Sequence, residues 1–570
     1  MGFKVIIVGA VAAGTRAAAH LKRLKPEAEV VLVDRQALVS YSGCGLPYFI
    51  SGDVNDAREL MNTTYMMLKD ESFFERVKGV TLLTRTEALA LDRKLKKIRV
   101  RSLETNEEKD LDYDQLVLAT GGRPIRLEIP GADLPGVITV SNLAEAVKLR
   151  EQVAAGRINR AVIIGGGPLA LQMAEALSDL WGVETALIAA GNQLLSGLVG
   201  PQLAGMVRRK LDEHELREVY LGERVKRVEE GEDGLRVITS RRELETDLVM
   251  TALGVRPDSD LALAAGLELT PGGAVAVNSR FQTSDPDIYA GGDCVENVNL
   301  LTGRGVYLSS GALASRHGRI IGTNLAGAIE EHDGVSGGFL LKVFDAAVGA
   351  VGLSLSRARE EGFDAASALV TQADRDQFYP GWETMHLELI FDRTSGRVLG
   401  LAGFSPKGEA LAARLNAVAA ILKYQPGLRD VANLELAYAP PFGAAVDILH
   451  VAACAAENIM AGKNRVMDVD EFAALFSRRQ EVAATFLDVR GRDNAEPYLA
   501  RYPGDWINLP LDELRARIGE LPRDRKIILI CNSGVRSYEA QVILDQAGLV
   551  STYNVQGGLG AARRWGLELV

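Results

Sequence analysis

The sequence is poor in cysteine and histidine, with four cysteines and six histidines among 570 residues. The cysteines, at positions 44, 294, 454 and 531, form no CxxC pair, and neither residue type has the spacing of a zinc site or a disulfide framework. We therefore expect no metal centre. Because a reducing compartment keeps thiols as thiols, chemistry at one or two of these cysteines is the alternative to simple burial.

Long hydrophobic runs and an excess of basic residues are also missing. No apolar stretch reaches the roughly 18 residues that span a bilayer, and the first one, Val5 to Val8, is too short for a signal peptide. The formal net charge of −11 would repel a polyanion such as nucleic acid. These absences predict a cytoplasmic protein that binds neither membranes nor nucleic acid.

The first motif is a strand, a glycine turn and a helix near the start of the chain. Phe3 to Val8 has the pattern of a buried parallel strand, and a helical pattern runs to Leu24. Between them lies G-A-V-A-A-G, in which Gly9 and Gly14 match G-x-G-x-x-G and Val11 replaces the middle glycine. A second strand ends at Asp34, where a carboxylate can accept hydrogen bonds from ribose hydroxyls. This unit predicts a dinucleotide site.

A second unit of the same kind follows. Gly165, Gly167 and Ala170 fit G-x-G-x-x-A directly after a predicted strand. Two such units predict two dinucleotides. Two further strands run into glycine-containing turns, at Thr120-Gly121 and at the G-G-D that ends with Asp293, and such turns allow close approach of the backbone to a ligand.

The stretch Ser40 to Tyr48, S-Y-S-G-C-G-L-P-Y, places Cys44 between two glycines. Missing Cβ atoms on both sides open the sulfur to a flat cofactor and a substrate, as a reactive cysteine requires, and a buried structural cysteine is the alternative interpretation of this stretch. Ser40 is a further predicted cofactor contact. For Cys294 and Cys454 we expect burial.

The C-terminal part contains another cysteine in a loop between a strand and a helix, C-N-S-G-V-R-S. Backbone amides of such a loop, together with Arg536, would lower the pKa of the Cys531 thiol. The loop therefore favours Cys531 as a nucleophile.

With these motifs, residues 1 to about 455 resemble the flavoprotein disulfide reductases with two dinucleotide sites. The single Cys44 and the absence of a C-x4-C pair resemble the branch of coenzyme A disulfide reductases and NADH oxidases or peroxidases. L-D-V-R, the Cys531 loop and Gly557-Gly558-Leu559 resemble a rhodanese domain. The resemblance implies FAD at the first site, NAD(P)H at the second and coenzyme A among the substrates.

The resemblance also implies catalytic tyrosines and a homodimer. Tyr438 in L-E-L-A-Y-A-P-P-F and Tyr379 in F-Y-P-G correspond to tyrosines that, in this branch, come from the partner subunit and stand near the active cysteine. A phenol can donate a hydrogen bond to a leaving thiolate at neutral pH. Interface packing is the alternative interpretation of both.

Three positions depart from the branch. Gly43 stands where asparagine is usual before the cysteine, and Gln172 stands where glutamate is usual near the nicotinamide. The strand after the second glycine turn ends in Ala189-Ala190-Gly191, without the acid that favours NADH or the base that favours NADPH. The sequence therefore leaves the choice between the two donors open.

We expect an α/β chain of four domains. Residues 1–125 and 248–330 form a discontinuous FAD-binding domain and residues 126–247 an NAD(P)-binding domain, both Rossmann-like. Residues 331–455 form an α+β dimerisation domain, 456–466 a linker and 467–570 an α/β rhodanese domain.

The favoured function is flavin-dependent reduction by NAD(P)H of persulfide, polysulfide or coenzyme A disulfide at Cys44, with sulfane sulfur carried by Cys531 and release of thiol and hydrogen sulfide. Arg16, Lys22 and Arg23 are candidates for binding the phosphates of coenzyme A, and a solvated helix face is the alternative. Two other functions stay open: an NADH oxidase or peroxidase that uses a Cys44 sulfenic acid, and a sulfur carrier or redox sensor without turnover.

Overall fold

The computed structural model describes residues 2–214, 216 and 218–570, which divide into two compact units. The first unit comprises the residues up to 190 together with 218–335, and the second comprises 191–217 together with 336–570. No helix within the described residues is long and apolar enough to cross a membrane.

The strands of the first unit are, in chain order, β1 (Lys4–Val8), β2 (Glu29–Val33), β3 (Thr81–Leu83), β4 (Thr86–Asp92), β5 (Lys97–Ser102), β6 (Glu108–Asp112), β7 (Gln115–Leu118), β8 (Gly122–Pro124), β9 (Val137–Ile138), β10 (Arg160–Ile164), β11 (Glu184–Ala189), β12 (Val219–Leu221), β13 (Val225–Gly231), β14 (Gly234–Thr239), β15 (Glu243–Thr246), β16 (Leu248–Thr251), β17 (Val255–Pro257), β18 (Ile288–Ala290), β19 (Asn297–Val298) and β20 (Gly305–Val306).

The helices between residues 2 and 335 are α1 (Ala13–Leu24), α2 (Leu46–Ser51), α3 (Glu71–Phe73), α4 (Leu143–Ala154), α5 (Pro168–Ser178), α6 (Pro201–Glu213), α7 (Asp260–Ala264) and α8 (Gly311–Leu325). Helix α6 belongs to the second unit and the others to the first.

Two five-stranded parallel sheets carry the two glycine turns. The first has the order β18-β7-β1-β2-β3, and the apolar run of β1 is buried in its core, as expected for a parallel strand covered on both faces. The second has the order β12-β11-β10-β16-β9. The expected two Rossmann-like domains are thus present.

One expected boundary between these domains is wrong. We expected the FAD-binding domain to resume at residue 248, but Leu248–Thr251 pairs with β10 in the second sheet. The first domain therefore resumes after Thr251. An apolar strand of four residues fits either parallel sheet, so the sequence pattern did not distinguish them.

The strands of the second unit are β21 (Gly338–Val343), β22 (Ala346–Gly352), β23 (Ala365–Ala373), β24 (Thr384–Asp392), β25 (Val398–Ser405), β26 (Val466–Met467), β27 (Ala484–Asp488), β28 (Trp506–Asn508), β29 (Lys526–Ile530) and β30 (Thr552–Val555). Its further helices are α9 (Leu355–Glu360), α10 (Gly408–Leu422), α11 (Leu428–Ala432), α12 (Ile448–Met460), α13 (Val469–Ser477), α14 (Arg492–Arg501), α15 (Leu511–Arg517), α16 (Val535–Gln546) and α17 (Gly558–Trp565).

The second unit combines an antiparallel sheet, β21-β22-β25-β24-β23, with a parallel sheet, β26-β30-β29-β27-β28. These are the expected α+β and α/β folds. The expected linker 456–466 is shorter than predicted, because α12 continues to Met460 and β26 begins at Val466. Alanine-rich sequence before Met460 sustains the helix.

The two sheets of the second unit are joined by direct contacts. Gln556 follows β30. Its Nε2 donates to the carboxylate of Asp468, and its Oε1 accepts the N–H of Leu369 in β23. Helix α6 packs along α17, where a side chain at Gly205 would overlap the Trp565 ring. An ion pair between Arg209 and Glu568 extends this contact.

Candidate functional site

The first glycine turn is built so that the backbone can approach a ligand. Gly9 has φ +107°, and a Cβ there would overlap the carbonyl oxygen of Ala119. Asp34, at the end of β2, accepts hydrogen bonds from the N–H groups of Ala10 at 2.6 Å and Gln36 at 2.8 Å. Burial raises the pKa of Asp34, and these backbone bonds oppose the rise. The turn and the carboxylate thus form one rigid edge.

Two observations indicate that a cofactor with polar groups can bind at this edge. A Cβ on Gly121 would meet no atom within 4 Å, so space lies open beside the Thr120-Gly121 turn. The hydroxyl of Tyr307 is buried without a hydrogen-bond partner among the described residues. Burial, with Asp293 as a further cause, raises the pKa of Tyr307, so its phenol remains a hydrogen-bond donor.

Ser40 connects the cysteine stretch to the first turn. Its N–H donates to the carbonyl oxygen of Ala10 at 2.7 Å, and it has φ +55°, an uncommon value for a residue other than glycine. Ser40 is buried. The structure therefore brings Ser40 to the turn, while a contact with the cofactor stays a prediction.

Cys44 is exposed in a 3₁₀ turn, Gly43–Gly45, that leads into α2. Its Sγ lies against the first residue of α8, because a Cβ on Gly311 would be 3.7 Å from the sulfur. Helix N-termini carry partial positive charge and favour nearby anions. The sulfur is therefore accessible and lies beside the N-terminus of α8.

Asp293 lies beside the same helix start. Its carboxylate accepts hydrogen bonds from the Ser309 hydroxyl at 2.5 Å and from the Ser310 N–H at 3.2 Å. His317 fixes the preceding turn, since its Nδ1 accepts the Gly292 N–H at 3.1 Å. Burial lowers the pKa of His317 to about 3, which keeps the ring neutral and Nδ1 able to accept. Tyr307 and His317 are site residues that sequence patterns did not single out.

The second glycine turn shows the same construction. A side chain on Gly165 would overlap the Ala252 carbonyl oxygen, whereas a Cβ on Gly167 would meet nothing within 4 Å. Ala170 is buried in α5. Gln172, also on α5, lies 3.4 Å from the hydroxyl of Tyr48 and donates to it through Nε2. Tyr48 ends the cysteine stretch, so the two predicted sites are linked through this pair.

The three basic residues of α1 are not equivalent. Helices α1 and α8 run side by side in the same direction, with Gly318 against Arg16. The Lys22 ammonium binds the carbonyl oxygens of Pro26 and Ala28, and Arg23 binds the His20 ring. Lys22 and Arg23 thus lie toward the end of α1 away from Cys44, and their basic groups already have protein partners.

Cys531 is fully buried at the end of β29, yet its surroundings are polar. Its Sγ accepts the Gly534 N–H at 3.1 Å and lies 3.2 Å from the hydroxyl of Ser537, which donates to Asn554 at 2.7 Å. Arg536 is half-buried in the first turn of α16. Polar partners around the sulfur distinguish Cys531 from a cysteine that only fills a core.

A buried ion pair supports this loop. Arg490 and Asp488 are nearly inaccessible to solvent, with Nη2 and Oδ2 2.7 Å apart. Arg490 also donates from Nη1 to the side-chain oxygen of Asn532, the residue after Cys531. Removal of one member of such a pair typically costs about 3–5 kcal/mol, so the pair holds the loop firmly.

The predicted tyrosines lie on neighbouring loops of the second unit. Tyr438 is 49% exposed and Tyr379 38% exposed. Both belong to an exposed aromatic surface that further comprises Phe378, Trp382 and Phe442. Exposed apolar surface of this kind marks interaction sites.

The remaining cysteines differ from each other. Cys294 is buried as expected, and burial raises its thiol pKa to about 11. The expected burial of Cys454 is wrong, because this side chain is exposed on α12. The buried face of α12 is formed by Leu449, Ala452, Ala453 and Ala456. In a run of small apolar residues the sequence gives little signal for which face points inward.

Three family profiles match the chain. That of the pyridine nucleotide-disulphide oxidoreductases matches residues 3–313, that of their dimerisation domain residues 340–449 and that of the rhodanese-like domain residues 468–563.

Curated relatives are similar to this chain over long stretches. The chain is 33% identical to the CoA-dependent NAD(P)H sulfur oxidoreductase of Pyrococcus abyssi, covering 79% of this chain and 97% of the relative. The protein named NADH oxidase of Methanocaldococcus jannaschii is 28% identical over 79% of this chain and 98% of the relative.

Two structures match nearly the whole chain. The reduced CoADR-RHD of Bacillus anthracis is 29% identical with a TM-score of 0.89, covering 99% of this chain and 98% of that one. The NAD-dependent persulfide reductase of A. fulgidus is 33% identical with a TM-score of 0.92, covering 98% and 100%. The chain therefore belongs to the pyridine nucleotide-disulphide oxidoreductase family, whose cofactors are FAD and NAD(P)H, and it carries the family's dimerisation domain and a rhodanese-like domain.

Proposed function

We propose that the protein is an FAD-dependent NAD(P)H:coenzyme A disulfide or persulfide oxidoreductase with a sulfurtransferase domain. The observation that carries this proposal is the lone, exposed Cys44 against the first turn of α8, in the same chain as a Cys531 loop of the rhodanese type. The names of the P. abyssi and A. fulgidus proteins support sulfur compounds as substrates.

The residues of the first unit would hold the cofactors. Asp34, Thr120 and Asp293 would bind FAD, while the second glycine turn and Gln172 would bind NAD(P)H. Bound flavin supplies the two-electron chemistry, with NAD(P)H as the source of the electrons.

Cys44 performs the sulfur chemistry. Its thiolate displaces hydrosulfide from a coenzyme A persulfide, which forms a mixed disulfide between Cys44 and coenzyme A. Cleavage of that disulfide consumes two electrons and one proton, returns the Cys44 thiolate and releases coenzyme A as the thiol. With coenzyme A disulfide, the first step releases a coenzyme A thiolate instead of hydrosulfide.

Cys531 carries sulfane sulfur without a net redox change. Its thiolate takes the sulfane sulfur of a polysulfide or thiosulfonate donor to form a persulfide, and the polysulfide shortened by one sulfur or the sulfinate leaves. The persulfide passes this sulfur atom to the thiolate of coenzyme A, which returns the Cys531 thiolate. The product is the substrate of Cys44. Fusion of the two domains raises the effective concentration of this intermediate.

The working protein is a homodimer in the cytoplasm. The dimerisation domain and the exposed aromatic surface around Tyr379 and Tyr438 support an interface through which the two tyrosines reach the Cys44 of the second copy. There a phenol would donate a hydrogen bond to the leaving thiolate. Of the three basic residues on α1, Arg16 lies nearer to Cys44 than Lys22 and Arg23 do. It is therefore the preferred candidate for binding the phosphates of coenzyme A. The cytoplasm keeps the four free thiols reduced.

The test is NAD(P)H-driven release of sulfide from coenzyme A persulfide by the FAD-loaded protein. Cys44→Ser should abolish turnover, whereas Cys531→Ser should retain it with this substrate and lose the use of a sulfane-sulfur donor. Full activity of Cys44→Ser would overturn the mechanism. Cys454→Ser, at an exposed cysteine outside the site, is the matched control.

A second candidate is an NADH oxidase that uses a Cys44 sulfenic acid, supported by the relatives of that name. Rapid oxygen consumption with NADH in the absence of any sulfur acceptor would favour it. Stopped-flow mixing with NADH and NADPH distinguishes these two enzymes, the sulfur reductase and the NADH oxidase, from a carrier or sensor without turnover. If neither donor bleached the flavin, the sensor would be favoured.

A further inference from the structure

The adenosine end of the second dinucleotide site has no charged residue where one is usual. In Rossmann-like folds, an acid near the end of the second strand binds the ribose 2′-hydroxyl of NAD, and an arginine nearby accommodates the 2′-phosphate of NADP. Here that strand, β11, ends at Ala189 and is followed by Ala190. Any selectivity between NADH and NADPH therefore has to come from residues elsewhere in the chain.

The structure places the segment after β12 directly beside this strand end. Strand β12 pairs with β11 in register, with Tyr220 opposite Ile188 and Leu221 opposite Ala189. The Glu223 N–H then donates to the Ala189 carbonyl oxygen at 3.0 Å. Residues 222–224 thus border the position where the ribose hydroxyls are expected.

The carboxylate of Glu223 is buried, with 1% of its surface exposed, and is fully engaged. It accepts a hydrogen bond from the Thr239 hydroxyl at 2.5 Å. Nε of Arg242 lies 3.0 Å and 3.2 Å from its two oxygens. With both oxygens in these bonds, Glu223 holds Arg242 and is a poor acceptor for ribose hydroxyls.

Arg242 is held in one orientation while part of it stays accessible. Its guanidinium lies 3.7 Å from the centre of the Tyr220 ring, a stacked arrangement that restricts the side chain. The side chain is 38% exposed. Since both bonds to Glu223 start from Nε, the terminal nitrogens keep N–H donors for a further acceptor.

Two more arginines surround this group. The Ser240 N–H donates to the Arg224 carbonyl oxygen at 2.9 Å, which brings the turn carrying Arg241 and Arg242 against Arg224. Arg224 and Arg241 are exposed. Arg224, Arg241 and Arg242 lie on these two adjoining turns, and the carboxylate of Glu223 offsets part of their charge there. They create a positive edge on a chain whose net charge is −11. Such an edge favours an anionic ligand locally.

We propose that Arg242, oriented by Glu223 and Tyr220, binds the adenosine 2′-phosphate and gives the enzyme a preference for NADPH over NADH. A guanidinium fork matches phosphate geometry, and a charge-assisted hydrogen bond is stronger than a neutral one. Because Glu223 and Tyr220 hold the side chain in advance, little rotamer freedom is lost on binding. The proposal rests on the NAD(P)H dependence proposed above.

Calorimetric binding of adenosine 2′,5′-bisphosphate and of 5′-AMP to the FAD-loaded protein tests the proposal without any sulfur substrate. The wild type should bind the bisphosphate at least about tenfold more tightly than 5′-AMP, the effect of one charge-assisted contact. Arg242→Gln should lose that difference, and Arg242→Lys, which keeps the charge but not the fork, should retain part of it. Binding of 5′-AMP by each variant reports that the adenosine site is folded.

Arg99→Gln is the matched control, because Arg99 is an exposed arginine paired with Asp110 in the separate sheet of β4, β5 and β6. It should keep the wild-type preference. The ratio of kcat/KM for NADPH and NADH should follow the binding ratio in all variants. Equal affinity of the wild type for the two nucleotides, or an unchanged ratio in Arg242→Gln, would overturn the proposal. Neither outcome bears on which sulfur compound is reduced.

Discussion

The phenol of Tyr438 donates a hydrogen bond to a carboxylate oxygen of Asp376 at 2.5 Å. The backbone carbonyl of Asp376 also accepts the N–H of Tyr379 at 2.9 Å. One residue therefore holds both tyrosines that we propose to act on the leaving thiolate, and we propose that the single O–H of Tyr438 turns from Asp376 to that thiolate as it leaves. The hydrogen bond to Asp376 raises the pKa of Tyr438 above its ordinary value of 10, so the phenol keeps its proton as pH rises.

Asp376→Asn should lower the pKa of Tyr438 toward its ordinary value, because an amide stabilises the protonated phenol less than a carboxylate does. Phenolate absorbance measured against pH, with Tyr438→Phe subtracted, checks this shift. Sulfide release should fall by about tenfold as the phenol loses its orientation. Tyr379 is held through the backbone of Asp376, which the substitution leaves in place. An unchanged titration of Tyr438 would contradict the prediction.

Gly558→Ala should damage the Cys531 loop selectively. Gly558 has φ +61°, and a Cβ there would lie 2.5 Å from the Cys531 carbonyl oxygen. Gly548 is the matched control, with φ +77° and no atom within 4 Å of its Cβ position. The left-handed conformation alone costs about 1–2 kcal/mol, so Gly548→Ala should only lower stability. Displacement of the loop should cut sulfur transfer from thiosulfate to cyanide by about 100-fold in Gly558→Ala alone. Equal activity of the two variants would refute the assignment.

Glu388→Gln should change how stability depends on pH. Glu388 is buried in β24, its Oε2 has no hydrogen-bond partner among the described residues, and burial raises its pKa to about 7, with Asp468 adding to the rise. Its contribution to stability is complete below the ordinary pKa of 4.5 and is lost as pH rises through about 7. Relative to Glu388→Gln, the wild type should therefore lose about 3 kcal/mol of unfolding free energy between pH 4.5 and 8.

Denaturant unfolding of both proteins across this range measures the difference. His386 on the same strand has a pKa lowered to about 3 by burial, so its own contribution falls as pH decreases below 6.5. That contribution is common to both proteins and cancels. Glu409→Gln, at an exposed acid on α10, is the control for the substitution itself. A constant difference between Glu388→Gln and wild type would show that Glu388 stays ionised in the fold.

Local patterns predicted the parts of the fold that depend on neighbouring residues. The glycine turns at Gly9 and Gly165 lie between the expected strands and helices, since backbone approach to Ala119 and Ala252 excludes a side chain at either position. Cys531 lies in the expected loop with amide and hydroxyl groups around its sulfur. In each case the requirement acts within a few residues of the motif.

Long-range pairing was not predictable in the same way. The strand Leu248–Thr251 joins the second sheet, and Cys454 faces outward, because neither apolar run specifies its partner. The sequence offered Lys22 as a candidate for coenzyme A phosphates or as part of a solvated helix face; its ammonium binds carbonyls at the end of α1, and phosphate binding stays a prediction. His317 and Tyr307 gave no sequence signal because their roles arise from groups brought near them by folding.

The sequence by itself determined the motifs of this protein: two glycine turns of the dinucleotide-binding type, a lone cysteine between two glycines and a cysteine in a loop of the rhodanese type, since each is encoded by a short segment. Only the tertiary structure decided which groups meet at each site. Cys44 reaches the start of α8, and Arg242 binds Glu223, whose N–H is bonded to Ala189 at the end of β11, through contacts between segments far apart in the chain. Such contacts depend on sheet order and helix packing, and no local pattern carries that information.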